Sequence, residues 1–234
     1  YLCTPLDSSS LEFLEEMGVL AYKVASADFT NYELLEKIAS TGKLMICSTG
    51  MSTESEIISS VEFLEKSKAQ FILLHCNSTY PTPYKDIHLN YLDRLKGLSN
   101  TLVGYSGHER GFFVPLAAVA KGAKVIEKHF TLDRNQEGND HKVSLLPAEL
   151  EQMVSSIRAV EASLGNVSPR ELTQGELMNR EVLAKSLYAT IPISIGDVIA
   201  EDHVCVRGPG NGLQPNRLAE LLGKKACRNI FEGE

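Results

Sequence analysis

The sequence lacks the features that mark membrane and exported proteins. No stretch of about 18 apolar residues occurs in the chain, and no basic start followed by an apolar region resembles a signal peptide. The five cysteines form an odd set without a C-x-x-C pair, which is typical of reduced core residues. We therefore expect a soluble, cytoplasmic protein without disulfides.

Positive charge is also in short supply. The chain has 23 lysines and arginines against 30 aspartates and glutamates, a formal net charge of -7. This balance argues against a surface built mainly to hold nucleic acid or anionic lipid by counterion release. We expect neither nucleic acid nor a membrane as partner, so an anionic ligand must be held by a local site.

Short apolar runs alternate with amphipathic segments from Tyr1 to about Gly165, the pattern of βα units around a parallel sheet. The strand-like runs are Tyr1–Thr4, Ala21–Ser26, Leu44–Thr49, Phe71–Ser78, Leu102–His108 and Val125–Thr131. The helical segments include Leu11–Met17, Tyr32–Ser40, Thr53–Lys66, Phe112–Lys121 and Pro147–Leu164. Six such units predict a (β/α)8 TIM barrel without its first two strands, which we expect upstream of Tyr1. The rival is an open doubly wound sheet, but no glycine fingerprint follows a first strand.

The character of the sequence changes near Gly165. We predict a barrel domain over residues 1–165, a polar, turn-rich linker over 166–185 and a small β-rich module over 186–234. A module of that size buries little surface by itself. We therefore expect it to pack on another part of the protein or on a partner.

Two histidines follow neighbouring strands of the predicted sheet. Alternate residues of a strand share a face, so Ser106 and His108 point the same way, as do Glu127 and His129. Ligands of parallel barrels meet the carboxyl ends of the strands, which places both imidazoles within reach of one ion. Two imidazoles near a carboxylate suit Mn²⁺, Zn²⁺ or Fe²⁺ with open positions for substrate. The alternative is a pair of hydrogen-bonded histidines in a polar barrel mouth.

Lys23 is a charge inside a strand of an acidic protein, so it needs an anion or a shifted pKa. Three interpretations stay open. It binds a phosphate or carboxylate, forms a Schiff base with a carbonyl substrate, or pairs with a buried carboxylate. Asp28 can supply that carboxylate or act as a general base. Hydroxyl donors for an anion follow several strands: Ser26, Ser48, Ser78 and Ser106.

Two loops offer groups for a polyol. Tyr80 stands before Pro81 and Pro83, which stiffen the segment. Asp140 lies in a polar loop, Leu132–Leu146, long enough to cover a substrate. Each residue also has a purely structural interpretation, as a surface tyrosine or a turn residue. Among the other histidines, we expect His75 in the core and His88 and His203 at the surface.

Six ordered motifs make a family recognisable. They are Lys23–Asp28, Ser48–Met51, Leu74–Cys76 with Tyr80–Pro83, Ser106–Glu109, Glu127–Thr131 and Asp140–Lys142. Together they resemble the sialic acid synthases, also called N-acetylneuraminate synthases, over nearly the whole chain. The module after Ser186 resembles that family's antifreeze-like (SAF) domain, which has a β-clip fold.

The resemblance implies a condensation of phosphoenolpyruvate with N-acetylmannosamine that gives a nine-carbon keto acid and free phosphate. It implies that His108 and His129 bind a divalent metal, usually Mn²⁺, with Mg²⁺ and Co²⁺ as alternatives. The metal would polarise the aldehyde oxygen of the open-chain sugar. Glu127 would support it from nearby.

The same resemblance assigns the other positions. Those around phosphoenolpyruvate are Thr4, Lys23, Ser26, Ser48, Ser78 and Ser106. Asp28 falls where the family has an acidic residue that handles the water attacking C2, and Tyr80 and Asp140 match sugar-binding positions. The family is expected to form a domain-swapped homodimer in which an arginine reaches the partner's sugar. Gly208 holds that arginine's usual place here, and Arg207 precedes it.

Other functions fit parts of the pattern. Synthases of the legionaminate type share these motifs and take a diacetamido sugar, and the animal enzymes take a phosphorylated N-acetylmannosamine. A Schiff-base aldolase would use Lys23 instead of a metal. A noncatalytic antifreeze-like protein would use only the terminal module, but the polar residues at the strand ends argue against it.

Overall fold

Five strands form one parallel sheet in the computed structural model, which describes residues 1–234. The strands are β1 (Ala21–Val24), β2 (Leu44–Ser48), β3 (Phe71–Cys76), β4 (Val103–Gly107) and β5 (Ile126–Lys128). They follow one another in the order β1-β2-β3-β4-β5, so each strand pairs with its neighbours in the chain. The predicted first run contributes only one bridge, Cys3 to Tyr22, in place of a strand.

Helices fill the connections between the strands. They are α1 (Ser8–Glu16), α2 (Tyr32–Ser40), α3 (Glu54–Lys66), α4 (Tyr91–Leu98), α5 (Phe113–Ala120) and α6 (Pro147–Leu164). Thr53 caps α3 through a reciprocal pair of hydrogen bonds with Glu56, as expected for this sequence pattern. Helix α4 was not predicted, because only Leu92 and Leu95 mark its buried side. No helix in the structure has the length and apolar character of a bilayer span.

The two faces of the sheet have different tasks. One face packs against the helices and forms a continuous apolar core, with Tyr22, Met45, Leu73 and Tyr105 among its buried residues. The register places the other set of residues side by side, Lys23 beside Ile46 and Ser106 beside Glu127. Because successive residues of a strand point to opposite faces, this second set lines the concave interior.

The sheet is strongly curled. In a flat sheet, β1 and β5 would lie about 19 Å apart, four interstrand spacings. Lys23 Nζ on β1 nevertheless lies 3.5 Å from Glu127 Oε2 on β5. The five strands therefore form a parallel half-barrel whose outer strands face each other across its interior.

Residues Val167–Glu234 form a second compact unit. It contains α7 (Gln174–Leu183), an antiparallel pair β6 (Ser186–Ala189) and β7 (Val204–Arg207), and the short helix α8 (Leu218–Leu221). The predicted linker over 166–185 is therefore wrong for its second half, which is helical. Gly210 N donates to Glu181 O at 2.9 Å, so α7 belongs to the unit that follows it.

Gly104 lies where β4 comes close to the backbone at the start of β5. A Cβ at this position would lie 2.5 Å from the Val125 carbonyl oxygen and 2.5 Å from Leu74 Cδ2. Since the carbonyl belongs to the neighbouring backbone, we expect Gly104→Ala to lower the free energy of unfolding by about 1–3 kcal/mol. Urea unfolding followed by circular dichroism measures the change.

Gly97 provides the matched control for the same substitution. It lies in α4, and a Cβ there would meet nothing within 4 Å. Gly97→Ala should raise the free energy of unfolding by about 0.5–1 kcal/mol, the usual effect in a helix. Equal unfolding midpoints for Gly104→Ala and the unmodified protein would contradict the interpretation of the β4–β5 contact.

Candidate active site at the carboxyl ends of the strands

The two strand-end histidines lie side by side. His108 directly follows β4 and His129 directly follows β5, and their ring centroids are 5.2 Å apart. Pairing of β4 with β5 puts Ser106 beside Glu127, so the residues two positions later come next to each other. The structure thus brings together the two imidazoles expected to share an ion.

The ring of His108 is held in one orientation. Its Nδ1 donates to the carbonyl oxygen of Asn77 at 2.7 Å, since a carbonyl can only accept. Its Nε2 lies 3.0 Å from the hydroxyl of Tyr80. Burial lowers the pKa of His108, so the ring is neutral at neutral pH. In a neutral imidazole with Nδ1 protonated, Nε2 carries the lone pair, which here accepts from the Tyr80 hydroxyl and is also the atom through which histidine can bind a metal.

The loop after β5 brings an acid to the second histidine. Asp140 Oδ2 lies 3.8 Å from His129 Nδ1. The ring of Tyr80 meets the His129 ring edge-on at 5.6 Å between centroids. Tyr80 is 44% exposed, so a ligand at the barrel mouth can reach its side chain. The structure therefore assembles Tyr80, Asp140 and both histidines at one place.

The partner of Lys23 is Glu127. Lys23 Nζ also donates to the carbonyl oxygen of Val24 at 2.9 Å. Asp28 does not pair with Lys23: it follows β1 in a short 3-10 helix, where its carboxylate accepts from Asn31 Nδ2 at 3.3 Å. The expectation that Asp28 supplies the carboxylate for Lys23 is therefore wrong. The chain turns at Ser26 before it reaches Asp28, whereas the curl of the sheet brings Glu127 across the interior.

A ring of small polar groups surrounds the thiol of Cys76. Ser26 Oγ lies 3.6 Å and Ser78 Oγ 4.0 Å from Cys76 Sγ, and His108 Nδ1 lies 3.7 Å from it. Ser106 also hydrogen-bonds this thiol. Cys76 pairs in register with Ser106, so it faces the interior.

The expectation of core cysteines therefore needs correction. All five cysteines are free, as expected, and Cys47 lies in the apolar core. Burial raises the pKa of Cys47 to about 12, so it stays a thiol. Cys76 belongs to the polar interior, and Cys227 is exposed. Strand parity separates Cys47 from Cys76, but only the neighbours across the sheet reveal a polar environment.

Two polar side-chain atoms of the interior have no hydrogen-bond partner within the chain. Ser48 Oγ and Glu127 Oε2 are buried and make no hydrogen bond within the chain. Buried polar atoms of this kind are costly unless a ligand or water satisfies them. Ser48 Oγ, Lys23 and the serines around Cys76 supply the donors of a site suited to a small anion, and Glu127 Oε2 is left as an acceptor beside it.

The backbone of Gly50 packs closely against the polar side chains of this site. A Cβ at this position would lie 2.5 Å from Ser78 Oγ, 2.7 Å from Cys76 Sγ and 3.0 Å from Ser26 Oγ. Its own N–H donates to Ser26 Oγ at 3.1 Å. The close approach of the backbone to three polar side chains makes glycine necessary here. The four residues Ser26, Gly50, Cys76 and Ser78 are called the polar cradle below.

The donor atoms fit a divalent ion that is only partly ligated by protein. No group of three or more histidine, cysteine or acidic side chains has the geometry to enclose a metal. Two imidazoles leave most coordination positions to water or substrate, as catalytic sites require. The unsatisfied Glu127 Oε2 adds negative charge on the same face. The residues present therefore fit such an ion.

Three expected residues, Thr4, Arg207 and His75, lie in different parts of the structure. Thr4 lines the same interior cavity as Lys23 and Glu127, with a volume of about 580 Å³. Arg207 lies in the second unit, where its guanidinium stacks 4.6 Å from the Tyr188 ring. His75 is buried in the core, as expected, and its Nε2 contacts the Ile87 carbonyl.

Several residues of the site carry no sequence signal of their role. Asn77 orients His108 through its backbone carbonyl, which any residue possesses. Cys76 resembles a core cysteine, and Gly50 resembles an ordinary turn residue. The motif positions next to the histidines, Glu109 and Lys128, form a buried ion pair that strand periodicity does not predict.

The chain is similar to known proteins over most of its length. The NeuB family matches residues 1–169. The N,N'-diacetyllegionaminic acid synthase of Campylobacter jejuni is 40% identical over 100% of this chain and 71% of its own length. The human N-acetylneuraminate-9-phosphate synthase is 35% identical over 100% of this chain and 66% of its own length.

A solved structure is similar in fold and sequence. The N-acetylneuraminic acid (sialic acid) synthetase of Leptospira borgpetersenii, crystallised with citrate, superposes with a TM-score of 0.70 at 40% identity. The match covers 77% of this chain and 64% of that one. The chain spans about two thirds of the length of these relatives. On the family match and these identities, the chain belongs to the NeuB family.

Proposed function

We propose that this protein is a sialic acid synthase that joins phosphoenolpyruvate to N-acetylmannosamine and releases phosphate. One observation carries the proposal. Lys23 and the polar cradle lie on the same concave face as the paired histidines, where they would form an anion site. A reaction between an anionic enol phosphate and a sugar aldehyde needs these two sites next to each other. Membership of the NeuB family supports the assignment.

Phosphoenolpyruvate would occupy the inner part of the site. The Lys23 ammonium offsets its negative charge, and hydroxyls donate to its oxygen atoms: Thr4, Ser26, Ser48, Ser78 and Ser106. Ser48 Oγ has no partner within the chain and is free to donate. These contacts would hold C3 of phosphoenolpyruvate toward the paired histidines.

The sugar would lie nearer the mouth of the barrel. Tyr80 and Asp140 flank the histidines, where a hydroxyl and a carboxylate can hydrogen-bond sugar hydroxyl groups. A divalent ion held by His108 and His129, Mn²⁺ with Mg²⁺ and Co²⁺ as alternatives, would supply Lewis-acid polarisation of the aldehyde oxygen. Glu127 would support the ion's charge from the same face, while its other contact restrains Lys23.

The reaction then balances with one water. C3 of phosphoenolpyruvate bonds to the aldehyde carbon, whose oxygen becomes a hydroxyl group. Water adds at C2, and phosphate leaves C2 with its bridging oxygen, so the water oxygen becomes the C2 carbonyl. The two protons of the water end on the new hydroxyl group and on phosphate. We propose that Glu127 accepts a proton through Oε2, which has no hydrogen bond in the chain. Asp28 remains a second candidate for handling this water, as the family resemblance implies, and it would have to leave its bond to Asn31.

Two other substrates have specific support. The identity of 40% to a legionaminic acid synthase favours a diacetamido sugar as the alternative acceptor. The human relative, at 35% identity, has a 9-phosphate product in its name and favours a phosphorylated sugar. A Schiff-base reaction through Lys23 is less well supported, because the amine is engaged by Glu127 and by the Val24 carbonyl.

The second unit would complete the site in a dimer. We propose that residues 186–234 act as an antifreeze-like (SAF) domain that presents Arg207 to the sugar bound by the partner subunit. The guanidinium of Arg207 is stacked on Tyr188, which leaves its five N–H groups free to bind oxygen atoms. In this proposal the protein forms a domain-swapped homodimer.

A phosphate-release screen tests the function. Phosphoenolpyruvate would be combined in turn with N-acetylmannosamine, its 6-phosphate and a diacetamido sugar, with product mass measured for each. We expect phosphate release to require one sugar and to yield a product equal in mass to phosphoenolpyruvate plus sugar plus water minus phosphoric acid. If none of the three sugars raises phosphate release above the rate with phosphoenolpyruvate alone, a synthase of this class is rejected.

The metal requirement gives a second test. We expect chelation, or the substitution His108→Ala, to lower kcat by at least about 100-fold, because several kcal/mol of charge stabilisation is lost. His88→Asn is the control, since His88 is exposed, has a positive φ of 49° and takes no part in the site. Full activity after exhaustive chelation, with inactivation by borohydride plus substrate, would point to the Schiff-base alternative.

Gly50→Ala tests the polar cradle. The added methyl group would displace Ser78 and Cys76 from the anion site. We expect the KM for phosphoenolpyruvate to rise by about 10- to 100-fold, the effect of misplacing binding groups by roughly 1 Å. Steady-state kinetics at saturating sugar measures it, and Gly97→Ala serves as the control with open space around the methyl. An unchanged KM would remove the cradle from the phosphoenolpyruvate site.

A further inference from the structure

A buried ion pair joins the residues next to the two histidines. Glu109 follows His108 and Lys128 precedes His129. Their side chains are 1% and 2% exposed, and Lys128 Nζ lies 3.1 Å from Glu109 Oε1. No other ion pair in the structure is buried to this degree.

Both side chains of the pair make further hydrogen bonds. Lys128 Nζ donates to the Glu109 carboxylate and also to the Glu109 backbone carbonyl. The other carboxylate oxygen accepts from the Tyr105 hydroxyl at 2.7 Å. Lys128 therefore hydrogen-bonds both the side chain and the main chain of Glu109, the residue that follows His108.

The pair lies on the outer face of the sheet, opposite the histidines. Lys128 is in register with Gly107, while the inward-facing Glu127 is in register with Ser106. The Glu109 carboxylate folds against Gly107, where a Cβ would lie 2.7 and 2.8 Å from its two oxygen atoms. Gly107 thus leaves space for the carboxylate directly behind the turn that carries His108.

Stability alone does not explain this arrangement. A buried ion pair loses hydration that its attraction barely offsets, so a well-packed apolar pair of similar volume is often as stable or more so. The pair restrains the relative position of two strand ends, because its directional hydrogen bonds join the end of β4 to the end of β5. An apolar contact would allow the two strand ends to slide.

We propose that Glu109 and Lys128 are positioning residues that set the separation of His108 and His129. They touch neither substrate nor metal; they fix the backbone positions from which the two rings project. This inference deepens the proposed function, since the metal that the separation serves belongs to that proposal.

The test removes both charges together. Lys128→Met alone would bury an unpaired carboxylate and destabilise the fold, so the informative protein is the full chain carrying Glu109→Gln and Lys128→Met. Its crystal structure gives the ring separation. Its Mn²⁺ dissociation constant comes from the electron paramagnetic resonance signal of free Mn²⁺, and its melting temperature is recorded in parallel.

We expect the double variant to fold, with a His108–His129 centroid separation that departs from 5.2 Å. The Mn²⁺ dissociation constant should rise by about 10- to 100-fold, the usual effect of losing groups that orient metal ligands. Lys128→Arg keeps the charge and the donors and should retain both the separation and the affinity.

Lys43→Met is the matched control. Lys43 pairs with Glu15 at 2.6 Å, beside the amino end of β2. Loss of this pair should leave Mn²⁺ affinity unchanged, whatever it does to the melting temperature.

An unchanged ring separation in the double variant overturns the proposal, whether or not stability falls. If the unmodified protein binds no Mn²⁺, the metal of the proposed function is rejected. The crystal structures still decide whether the pair positions the rings.

Discussion

The curl of the parallel sheet is the constraint on which the rest of the structure depends. It brings Lys23 and Glu127, on the two outer strands, to 3.5 Å, although they are more than a hundred residues apart in the chain. The interior is thereby narrowed until side chains from opposite strands can meet one ligand. A flat sheet with the same sequence would hold the same polar residues in a row about 19 Å wide, too far apart for a small substrate.

The interior of the half-barrel contains buried polar atoms that make no hydrogen bond within the chain. Ser48 Oγ and Glu127 Oε2 are buried without hydrogen-bond partners, although Glu127 Oε2 lies 3.5 Å from Lys23 Nζ, and the Gly50 backbone packs against three polar side chains. A protein selected for stability alone would replace these groups with apolar ones, because each unpaired polar atom costs about 1–3 kcal/mol. Their presence at the carboxyl ends of the strands is the strongest physical reason to place the ligand there.

The site is also supported from behind. The Asn77 carbonyl directs His108 from the β3 side, and the Glu109–Lys128 pair ties the ends of β4 and β5 on the outer face. Thr82 N donates to the His108 carbonyl at 3.2 Å, so the proline-containing loop restrains the same residue. His108 is thus held by three neighbouring segments, whereas Asp140 approaches His129 from an exposed loop at 3.8 Å. This difference would suit the proposed function, in which His108 would be a rigid metal ligand and the loop of Asp140 would cover the sugar.

The sequence by itself determined the local features. Strand parity put Ser106 with His108 and Glu127 with His129 on one face, and five of the six predicted strand-like runs became strands of the parallel sheet. These follow from periodicity within a single element, which depends on a few neighbouring residues. Only the tertiary structure decided that Glu127 rather than Asp28 pairs with Lys23, that Cys76 joins the polar interior, and that Glu109 pairs with Lys128. Each of these contacts joins different segments of the chain, so it depends on the curl and register of the whole sheet, which no local pattern records.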